Sequence, residues 1–421
     1  MFYKLVEFLN NKKNFPYYFI SPLIYSYGNS AEQIYLISGE KFLKNRKIII
    51  LNYGYLTKIL KYKISNKNLL SDLEINGQSQ KKNKIILQIL GFAIFFEFFI
   101  KRFFVLYFFD FFKIKINELK RFPYLGLEKL YSFNDNLNFK NVEKIVLAQS
   151  KIILDQDAKK KCQAMLKDYN LDSKKIVTLH VRDSKYKDDY SKRNYRNSDI
   201  NNYIKLIKFL ISKDYIVFRL GTSPCSKINF EDPNFIDYPE LDLQSSLLDL
   251  YLVEQSEFFI GTGSGPRAVA EMFSIPILIT NSDDFSDMPL KNMDRVLFKK
   301  FFLKENNNPL SIMELLNSEY NLYDPELYLN NFNLVENTSE ELLSAGKEFL
   351  LNLSNKKFEL NEQQEEFNKI LKKKIQYFYT ESDNNTFKYH IETLRYIKRC
   401  KTMEGSICQS SLKKRILNDG L

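Results

Sequence analysis

The sequence predicts an α/β protein of two domains, each built from strands joined by crossover helices, with further helices at the C-terminus. Its 421 residues are more than one hydrophobic core holds, because single cores stop growing near roughly 250 to 300 residues. Apolar runs of strand length alternate with segments of helix length, which is typical of parallel βαβ units. We place the boundary near Asp168, which gives domains at 1–168 and 169–335 and a helical extension at 336–421.

The first domain opens with a strand-helix-strand pattern. An extended strand, a loop, a helix and a buried parallel strand follow one another at 17–20, 26–30, 31–43 and 47–51. Gly28 and Asn29 lie in the loop, where the carboxyl end of a strand meets the start of a helix. Open α/β sheets hold ligands at such places, so both residues are candidate ligand contacts, with an ordinary turn as the alternative.

Residues 85–116 form an apolar and aromatic stretch flanked by lysines. Charged residues interrupt it before about 18 clean apolar residues accumulate, so a membrane-spanning helix is not expected. The flanking lysines favour docking on an anionic membrane surface, and a buried helix pair or a partner interface is the alternative. Glu7, Lys12 and Lys13 interrupt the apolar residues at the N-terminus, so we expect no signal peptide and a protein in the cytoplasm.

The second domain has the more regular pattern. A helix expected at 155–166 leads into it. Its strands are expected at 176–179, 215–220, 258–260 and 276–280, and its helices at 200–211, 246–254 and 266–273. Thr338 and Glu341 then form a capping box for a helix that ends near Leu353. Residues 359–397 follow as charged helices.

Composition limits the classes of partner. The net charge of +11 and the pI of about 9.1 favour anionic ligands, although abundant Lys and Asn also fit an AT-rich coding sequence. Zinc-finger spacing, an RNA-recognition signature and a Gly-rich basic tail are all missing, so nucleic acid is not an expected partner. None of the four cysteines has zinc-ligand spacing, and they are expected to be reduced thiols.

Polar residues cluster where the strand entered at Ile176 ends. His180, Arg182 and Asp183 follow one another there. The guanidinium of Arg182 stays charged and matches phosphate oxygens with two donors, which suits a diphosphate. His180 is a candidate ligand contact, and a core histidine satisfied by backbone is the alternative.

A second cluster follows the strand at 258–260. Gly261, Thr262, Gly263, Ser264 and Gly265 form a turn that leads into a helix with Pro266 at its first position. The backbone amides of such a turn, the helix dipole and the two hydroxyls together form an anion site. The spacing is neither that of a Walker loop nor that of a dinucleotide fingerprint, which disfavours kinase-type chemistry.

Further candidates lie near the same sheet edge. Arg219 and Gly221 close the strand at 215–220, and Arg267 stands in the helix after the glycine-rich turn. Both arginines are expected to join Arg182 around phosphate. Glu271 lies on the second turn of that helix, where its carboxylate could accept the ribose hydroxyls of a nucleotide, and a solvated helix charge is the alternative.

These motifs resemble those of a bacterial glycosyltransferase family related to the fucosyltransferase-like GT-B enzymes. The resemblance covers residues 170–285. It rests on five stretches in order, namely His180-Val181-Arg182-Asp183, Val217-Phe218-Arg219-Leu220-Gly221, Leu248-Asp249-Leu250-Tyr251-Leu252, Phe259 to Pro266 and Thr280-Asn281. Gly28 and Asn29 resemble the acceptor-side loop of the family, although histidine more often follows the glycine there.

The resemblance implies a GT-B-like architecture, in which two Rossmann-like domains face a cleft. It implies that Arg182 of the His-x-Arg motif holds the donor diphosphate and that the loop from Gly263 to Gly265 closes on it. Enzymes of this fold usually work without a bound metal, so no metal is expected. Asp188, Asp189, Asp283 and Asp284 are then solvated loop acids rather than metal ligands.

We therefore expect a hexosyl- or deoxyhexosyl-transferase. Its donor would be a nucleotide-diphosphate sugar, with GDP-linked sugars as candidates, and its acceptor a glycan or lipid-linked molecule in bacterial surface polysaccharide synthesis. Asp183 is the candidate base, and Arg182 the candidate catalytic charge. The expected donor-binding residues are His180, Arg182, Arg219, Gly221, Asp249, Thr262, Gly263, Ser264, Gly265, Pro266, Arg267 and Glu271. The alternative is a non-catalytic nucleotide-sugar-binding or scaffold protein at the inner face of the cell membrane.

Overall fold

The fold is a mixed α/β structure with a large parallel sheet, as the sequence predicts. The computed structural model describes residues 5, 8–9, 16–20, 27–38, 46–51, 66–80, 93, 151–169, 175–184, 191–283, 285, 291–318, 330–355, 359–381 and 405–412. The chain divides into two compact units, residues 1–160 with 384–394 and residues 161–383 with 395–421.

The first unit contains the predicted strand-helix-strand pattern. Strand β1 (Tyr17–Ile20) pairs in parallel with β2 (Lys47–Ile50), and helix α1 (Tyr27–Ser38) connects them. The helix begins at Tyr27 rather than Ala31, so Gly28 and Asn29 lie in its first turn and not in a loop before it. First-turn N–H groups need no partner within the helix, and the buried Ala31, Ile34 and Tyr35 hold it by packing.

A small antiparallel sheet completes the described part of the first unit. Its strands are β3 (Leu73–Ile75), β4 (Gln78–Ser79) and β5 (Ile152–Leu154), with β3 in the centre. The side chain of Gln80 accepts from the N–H of Ile50 and donates to the carbonyl of Ile48, which ties this segment to β2.

The second unit is built on a sheet of seven parallel strands in the order β15-β11-β10-β9-β6-β7-β8. All neighbouring pairs are parallel. The strands are β6 (Lys175–His180), β7 (Tyr215–Leu220), β8 (Phe235–Asp237), β9 (Phe258–Gly261), β10 (Ile277–Ser282), β11 (Arg295–Phe298) and β15 (Ser406–Ile407). Three shorter strands form a separate antiparallel sheet, namely β12 (Lys300–Leu303), β13 (Pro309–Leu310) and β14 (Phe332–Val335).

Helices cover this sheet. They are α2 (Gln156–Met165), α3 (Ile204–Ile211), α4 (Ser246–Glu254), α5 (Gly265–Met272), α6 (Ile312–Asn317), α7 (Ser339–Asn355), α8 (Glu362–Glu381) and α9 (Gln409–Leu412). On one face, Leu206 and Leu210 of α3 and Phe349 of α7 share a buried core with Val177 of β6 and Val217 of β7. Each strand of this core is a continuous apolar run because both of its faces are covered.

The helices after residue 335 belong to the second unit. The capping box predicted at Thr338 is present, since Thr338 N–H donates to Glu341 and Thr338 Oγ1 accepts from the Glu341 N–H. Helix α8 agrees with the charged helices expected after residue 359. Strand β15 comes from the C-terminal segment and extends the sheet beside β11, which the sequence did not indicate.

The expectations on membranes reach beyond the described residues. Of the aromatic stretch at 85–116, the structure describes Ala93 alone, so its role as a membrane-docking surface stays a prediction. In the part of the chain that is described, no helix is both long and apolar enough to cross a membrane.

Candidate functional site

The candidate site lies at the carboxyl edge of the seven-stranded sheet, where the strand order reverses. From β6 the chain adds β7 and β8 on one side, and then returns to place β9 on the other side of β6. The two connections therefore leave β6 and β9 in opposite directions and open a crevice between their carboxyl ends. The register pairs His180, the last residue of β6, with Gly261, the last residue of β9.

Hydrogen bonds hold the two strand ends together. The Thr262 N–H donates to the His180 carbonyl at 3.0 Å, and the Arg182 N–H donates to Thr262 Oγ1 at 3.1 Å. A Cβ on Gly261 would lie 2.3 Å from the His180 carbonyl oxygen, so only glycine allows this approach. Gly261 and Thr262 therefore serve the junction of the strands, and the Thr262 hydroxyl is engaged within the protein.

Three consecutive backbone N–H groups at the start of α5, those of Gly263, Ser264 and Gly265, have no hydrogen-bond acceptor among the residues that the structure describes. We call them the open amides. Ser264 is the N-cap residue with extended backbone, and Pro266 occupies the first turn. Neither glycine has a positive φ, so the turn itself does not require glycine at either position. Free amides at a helix N-terminus form an anion site.

His180 is neutral and positions Ser264. Burial lowers the pKa of His180 to about 4, with Asp183 opposing and Arg219 and Arg182 reinforcing the shift. At neutral pH the ring is therefore uncharged, and its Nδ1 shares a 2.8 Å hydrogen bond with Ser264 Oγ. The ring fixes the N-cap side chain of α5 rather than adding positive charge to the site.

Arg182 projects from a backbone that is held on both sides. Its N–H donates to Thr262 Oγ1, and its carbonyl accepts from the Ser198 N–H at 2.9 Å. Its charge contributes to lowering the pKa of both His180 and Lys299, after the larger effect of burial at each. The guanidinium therefore lies among the groups at the ends of β6, β9 and β11.

Asp183 and Arg219 belong to a network between β6 and β7. Asp183 Oδ2 accepts from the Ser226 N–H at 2.6 Å, and Arg219 donates to the Ser226 carbonyl at 2.6 Å. Arg219 is 2% exposed and forms an ion pair with Asp237 at 3.1 Å. Both predicted site residues are thus bonded to the loop after β7. The role of Asp183 as base stays a prediction.

Gly221 and Asp249 lie farther along this edge, after β7 and in α4. The Gly221 carbonyl accepts from Gln244, and a Cβ there would stand 3.0 Å from Pro239 Cγ. Asp249 lies in the first turn of α4, where burial raises the pKa of its carboxyl group to about 7 and the nearby Tyr238 hydroxyl opposes the shift. Its Oδ1 is buried and has no hydrogen-bond partner among the described residues.

Arg267 and Glu271 pair with each other on α5. Their ion pair measures 2.9 Å, and the two side chains are 5% and 8% exposed. Glu271 also raises the pKa of Lys291 and Asp294, in each case as a smaller effect than burial. Asp294 accepts from Ile277, the first residue of β10, so Glu271 lies toward the amino edge of the sheet. The role of Glu271 as a contact for the ribose hydroxyls stays a prediction.

The structure adds two cations that the sequence analysis did not select. Lys299, which is 3% exposed, donates to the carbonyls of Tyr195 and Asn197 at 2.8 and 2.6 Å. Arg196 donates to the Gly263 carbonyl and lies 3.6 Å from Asp283. Lys299 separates two apolar strands, which is the one signal in the sequence that marks it as buried.

The end of β10 is fixed by buried amides. Asn281 has a φ of 50°, and it exchanges two hydrogen bonds with Asn337, at 2.9 and 2.7 Å. The Asn281 side chain also donates to the Tyr203 hydroxyl, whose pKa burial raises to about 12. A left-handed asparagine held in this way sets the direction in which the chain leaves the strand toward Asp283.

The acids at this edge are dispersed. Asp183, Asp237 and Asp283 face Ser226, Arg219 and Arg196 respectively. Among the described residues, no three His, Cys, Asp or Glu side chains lie close enough to hold a metal ion. Asp188, Asp189 and Asp284 fall outside the described residues.

Comparisons with known proteins give two partial matches. No family model matches the sequence, and no curated protein sequence matches it significantly. A crystal structure of the glycosyl transferase family 9 from Veillonella parvula DSM 2008 shares 11% identity over 48% of this chain and 54% of that chain, with a TM-score of 0.28. The dodecameric iron-containing heptosyltransferase TibC in complex with ADP-D-beta-D-heptose shares 14% identity over 43% of this chain and 47% of that chain, with a TM-score of 0.22.

The matched region thus spans about half the length of each of these structures. Both solved structures are glycosyltransferases by name, and both TM-scores are below 0.5. The function of this protein is therefore inferred from its own site.

Proposed function

We propose that this protein is a glycosyltransferase whose β6–β9 crevice holds the diphosphate of a nucleotide sugar. The observation that carries the proposal is the set of three open amides at Gly263, Ser264 and Gly265, placed beside Arg182 at the switch point of a parallel sheet. An anion that accepts several hydrogen bonds at once fits this arrangement. A diphosphate does so, and the helix dipole of α5 favours its charge.

The charges of the site agree with this ligand. His180 is neutral because burial lowers its pKa to about 4, so it contributes a hydrogen bond to Ser264 and leaves the positive charge of the site to arginine. Arg182 follows the end of β6, and its backbone is held by Thr262 after β9 and by Ser198. A guanidinium offers two parallel donors to phosphate oxygens, which a point charge does not.

The proposed reaction is a displacement at the anomeric carbon of the sugar. The bond from that carbon to the diphosphate oxygen breaks, and a bond to the acceptor hydroxyl oxygen forms. Arg182 and the open amides would stabilise the negative charge that develops on the departing diphosphate. The acceptor proton must pass to a base, and Asp183 is the candidate. Its Oδ2 accepts from the Ser226 N–H at 2.6 Å, which fixes the carboxylate beside the end of β6.

The wider features of the proposal follow the resemblance to GT-B enzymes. The nucleotide sugar would lie on the second unit, and a glycan or lipid-linked acceptor would be bound with the help of the first, near Gly28 and Asn29. GDP-linked sugars are the first donors to try. Surface polysaccharide synthesis at an anionic membrane is the setting in which such an acceptor would be met.

A two-stage experiment tests the proposed function. A thermal-shift screen with GDP, UDP, ADP and CMP should raise Tm for at least one nucleoside diphosphate, because a ligand at about a hundred times its Kd adds roughly 2.7 kcal/mol to folded stability. The matching nucleotide sugar should then be hydrolysed or transferred. Binding without any turnover would favour the non-catalytic scaffold instead, and no binding of any nucleotide would refute both.

A further inference from the structure

A short segment, residues 194–198, crosses the carboxyl edge of the sheet and contacts the ends of four strands. The Ser198 N–H donates to the Arg182 carbonyl after β6. Arg196 donates to the Gly263 carbonyl after β9, and it faces Asp283 after β10 at 3.6 Å. Lys299 after β11 donates to the carbonyls on either side of Arg196. We call residues 194–198 the edge strap.

The contact between Arg196 and Gly263 has a geometric consequence for the open amides. The carbonyl of Gly263 and the N–H of Ser264 belong to the same planar peptide unit and point in opposite directions. A donor that holds the carbonyl on one side therefore directs the N–H to the other side. The Ser264 N–H has no acceptor among the described residues, so it is a donor that Arg196 directs away from the Gly263 carbonyl and that the described part of the chain does not use.

We propose that Arg196 is a positioning residue for donor binding, which orients the Gly263–Ser264 peptide so that the Ser264 N–H points at the diphosphate. This inference rests on the proposed function and adds to it a residue that need not touch the nucleotide. Arg196 would act through the backbone, whereas Arg182 would act by its own charge.

The surroundings of Arg196 keep it in this position. Its side chain is 25% exposed, while that of Asp283 is 4% exposed, so the pair is partly shielded from water. Lys299 fixes the backbone on both sides of Arg196, which limits where the guanidinium can go. The planar guanidinium has donors enough to serve the Gly263 carbonyl and face Asp283 at the same time, whereas lysine is a single point charge.

Calorimetric titration of inorganic pyrophosphate and of the nucleoside diphosphate found by the thermal-shift screen tests this role. Four variants are compared with the wild type. Arg196→Ala and Arg196→Met remove the donor, with the methionine keeping most of the stem. Arg196→Lys restores one donor, and Lys205→Ala removes a cation that pairs with Glu340 elsewhere on the surface.

Arg196→Ala and Arg196→Met should weaken binding of both ligands about tenfold, because one hydrogen bond to a charged group is lost from alignment. Arg196→Lys should lie between them and the wild type, and Lys205→Ala should bind normally. The donor KM should rise and kcat should fall, because the amide would bind the diphosphate in the ground state and also stabilise the charge that develops on it in the transition state. If Arg196→Ala does not fold, the affinities of Arg196→Met for the two ligands decide the outcome.

Two results would overturn the inference, and they are distinguishable. Wild-type affinity in a folded Arg196→Met protein would overturn the positioning role while leaving the proposed function in place. No binding of pyrophosphate or any nucleoside diphosphate by the wild type would overturn the proposed function and the inference with it.

Discussion

The two edges of the seven-stranded sheet differ in whether their backbone N–H groups have hydrogen-bond acceptors. At the amino edge, Asp294 accepts from the N–H groups of Ile277 and Lys291, at 2.9 and 3.1 Å. At the carboxyl edge, the amides of Gly263, Ser264 and Gly265 have no acceptor in the described part of the chain. The protein supplies its own carboxylate to one edge and leaves the donors of the other edge for something else.

This difference separates groups that stabilise the fold from groups available to a ligand. An unpaired buried N–H costs about 1 to 3 kcal/mol, so a fold leaves several of them together only where water or an anion reaches them. Arg267 and Glu271 fall on the stabilising side because they pair with each other. The open amides fall on the other side, and the His180–Ser264 hydrogen bond and the bond from Arg182 N–H to Thr262 hold the elements around them.

The largest effect is expected from added bulk over the amides. Gly265→Val should weaken donor binding tenfold or more, because a side chain would occupy the space that the anion needs, while the turn has no positive φ to lose. Thr262→Val should instead cost about 0.5 to 1.5 kcal/mol of stability, since its hydroxyl accepts from the Arg182 N–H, and should leave affinity nearly normal. Calorimetry and thermal melts of the two variants separate these outcomes. The opposite ranking of affinities would mean that the hydroxyl is the contact.

At the amino edge, a variant should change stability and not binding. Asp294→Ala leaves two backbone N–H groups without their acceptor, which should cost about 2 kcal/mol and lower Tm by roughly 4 to 8 °C. The donor KM of the folded fraction should be unchanged. Asp242→Ala removes an exposed acid and serves as the control. A normal Tm together with a raised donor KM in Asp294→Ala would mean that the amino edge binds the donor and does not stabilise the fold.

Asp249 should produce the smallest effect, which depends on pH. Burial raises the pKa of its carboxyl group to about 7, so the folded state holds the proton more tightly than the unfolded state does. The wild type should therefore lose stability as pH rises from about 4 to about 7. The asparagine of the Asp249→Asn variant cannot ionise. The Tm of the variant minus the Tm of the wild type should therefore increase by a few degrees between pH 5 and pH 8. A difference in Tm that does not vary with pH would show that the carboxylate is well solvated or paired.

Much of the second unit could be predicted because its elements are continuous apolar runs. Strand β7 and helix α4 begin and end where the sequence pattern places them, at 215–220 and 246–254. Parallel strands bring their carboxyl ends to one edge, so His180 and Ser264 could be expected together although 84 residues separate them. Periodicity and topology were sufficient for these features.

The remaining features depend on tertiary contacts that no local pattern encodes. The edge strap has no periodicity, and its position follows from the bonds that Lys299 donates to it and from the bond that its own Arg196 donates to Gly263, all of which form only after folding. Strand β15 pairs with β11 across more than a hundred residues of chain. The pairing of Arg267 with Glu271 has a sequence signal, since residues four apart on a helix are neighbours, but burial rather than spacing decides that both face inward.

The most direct test of the central claim is the affinity of a nucleoside diphosphate for the wild type and for Arg182→Ala, measured by calorimetry at neutral pH. The backbone of residue 182 keeps its bonds to Thr262 and Ser198 in the variant, so the fold should persist with a normal Tm. We expect the wild type to bind and the variant to bind about 10 to 100 times more weakly, because the variant loses the hydrogen bonds between a charged side chain and the diphosphate. Equal affinity in the two proteins would contradict the assignment of the diphosphate to the β6–β9 crevice.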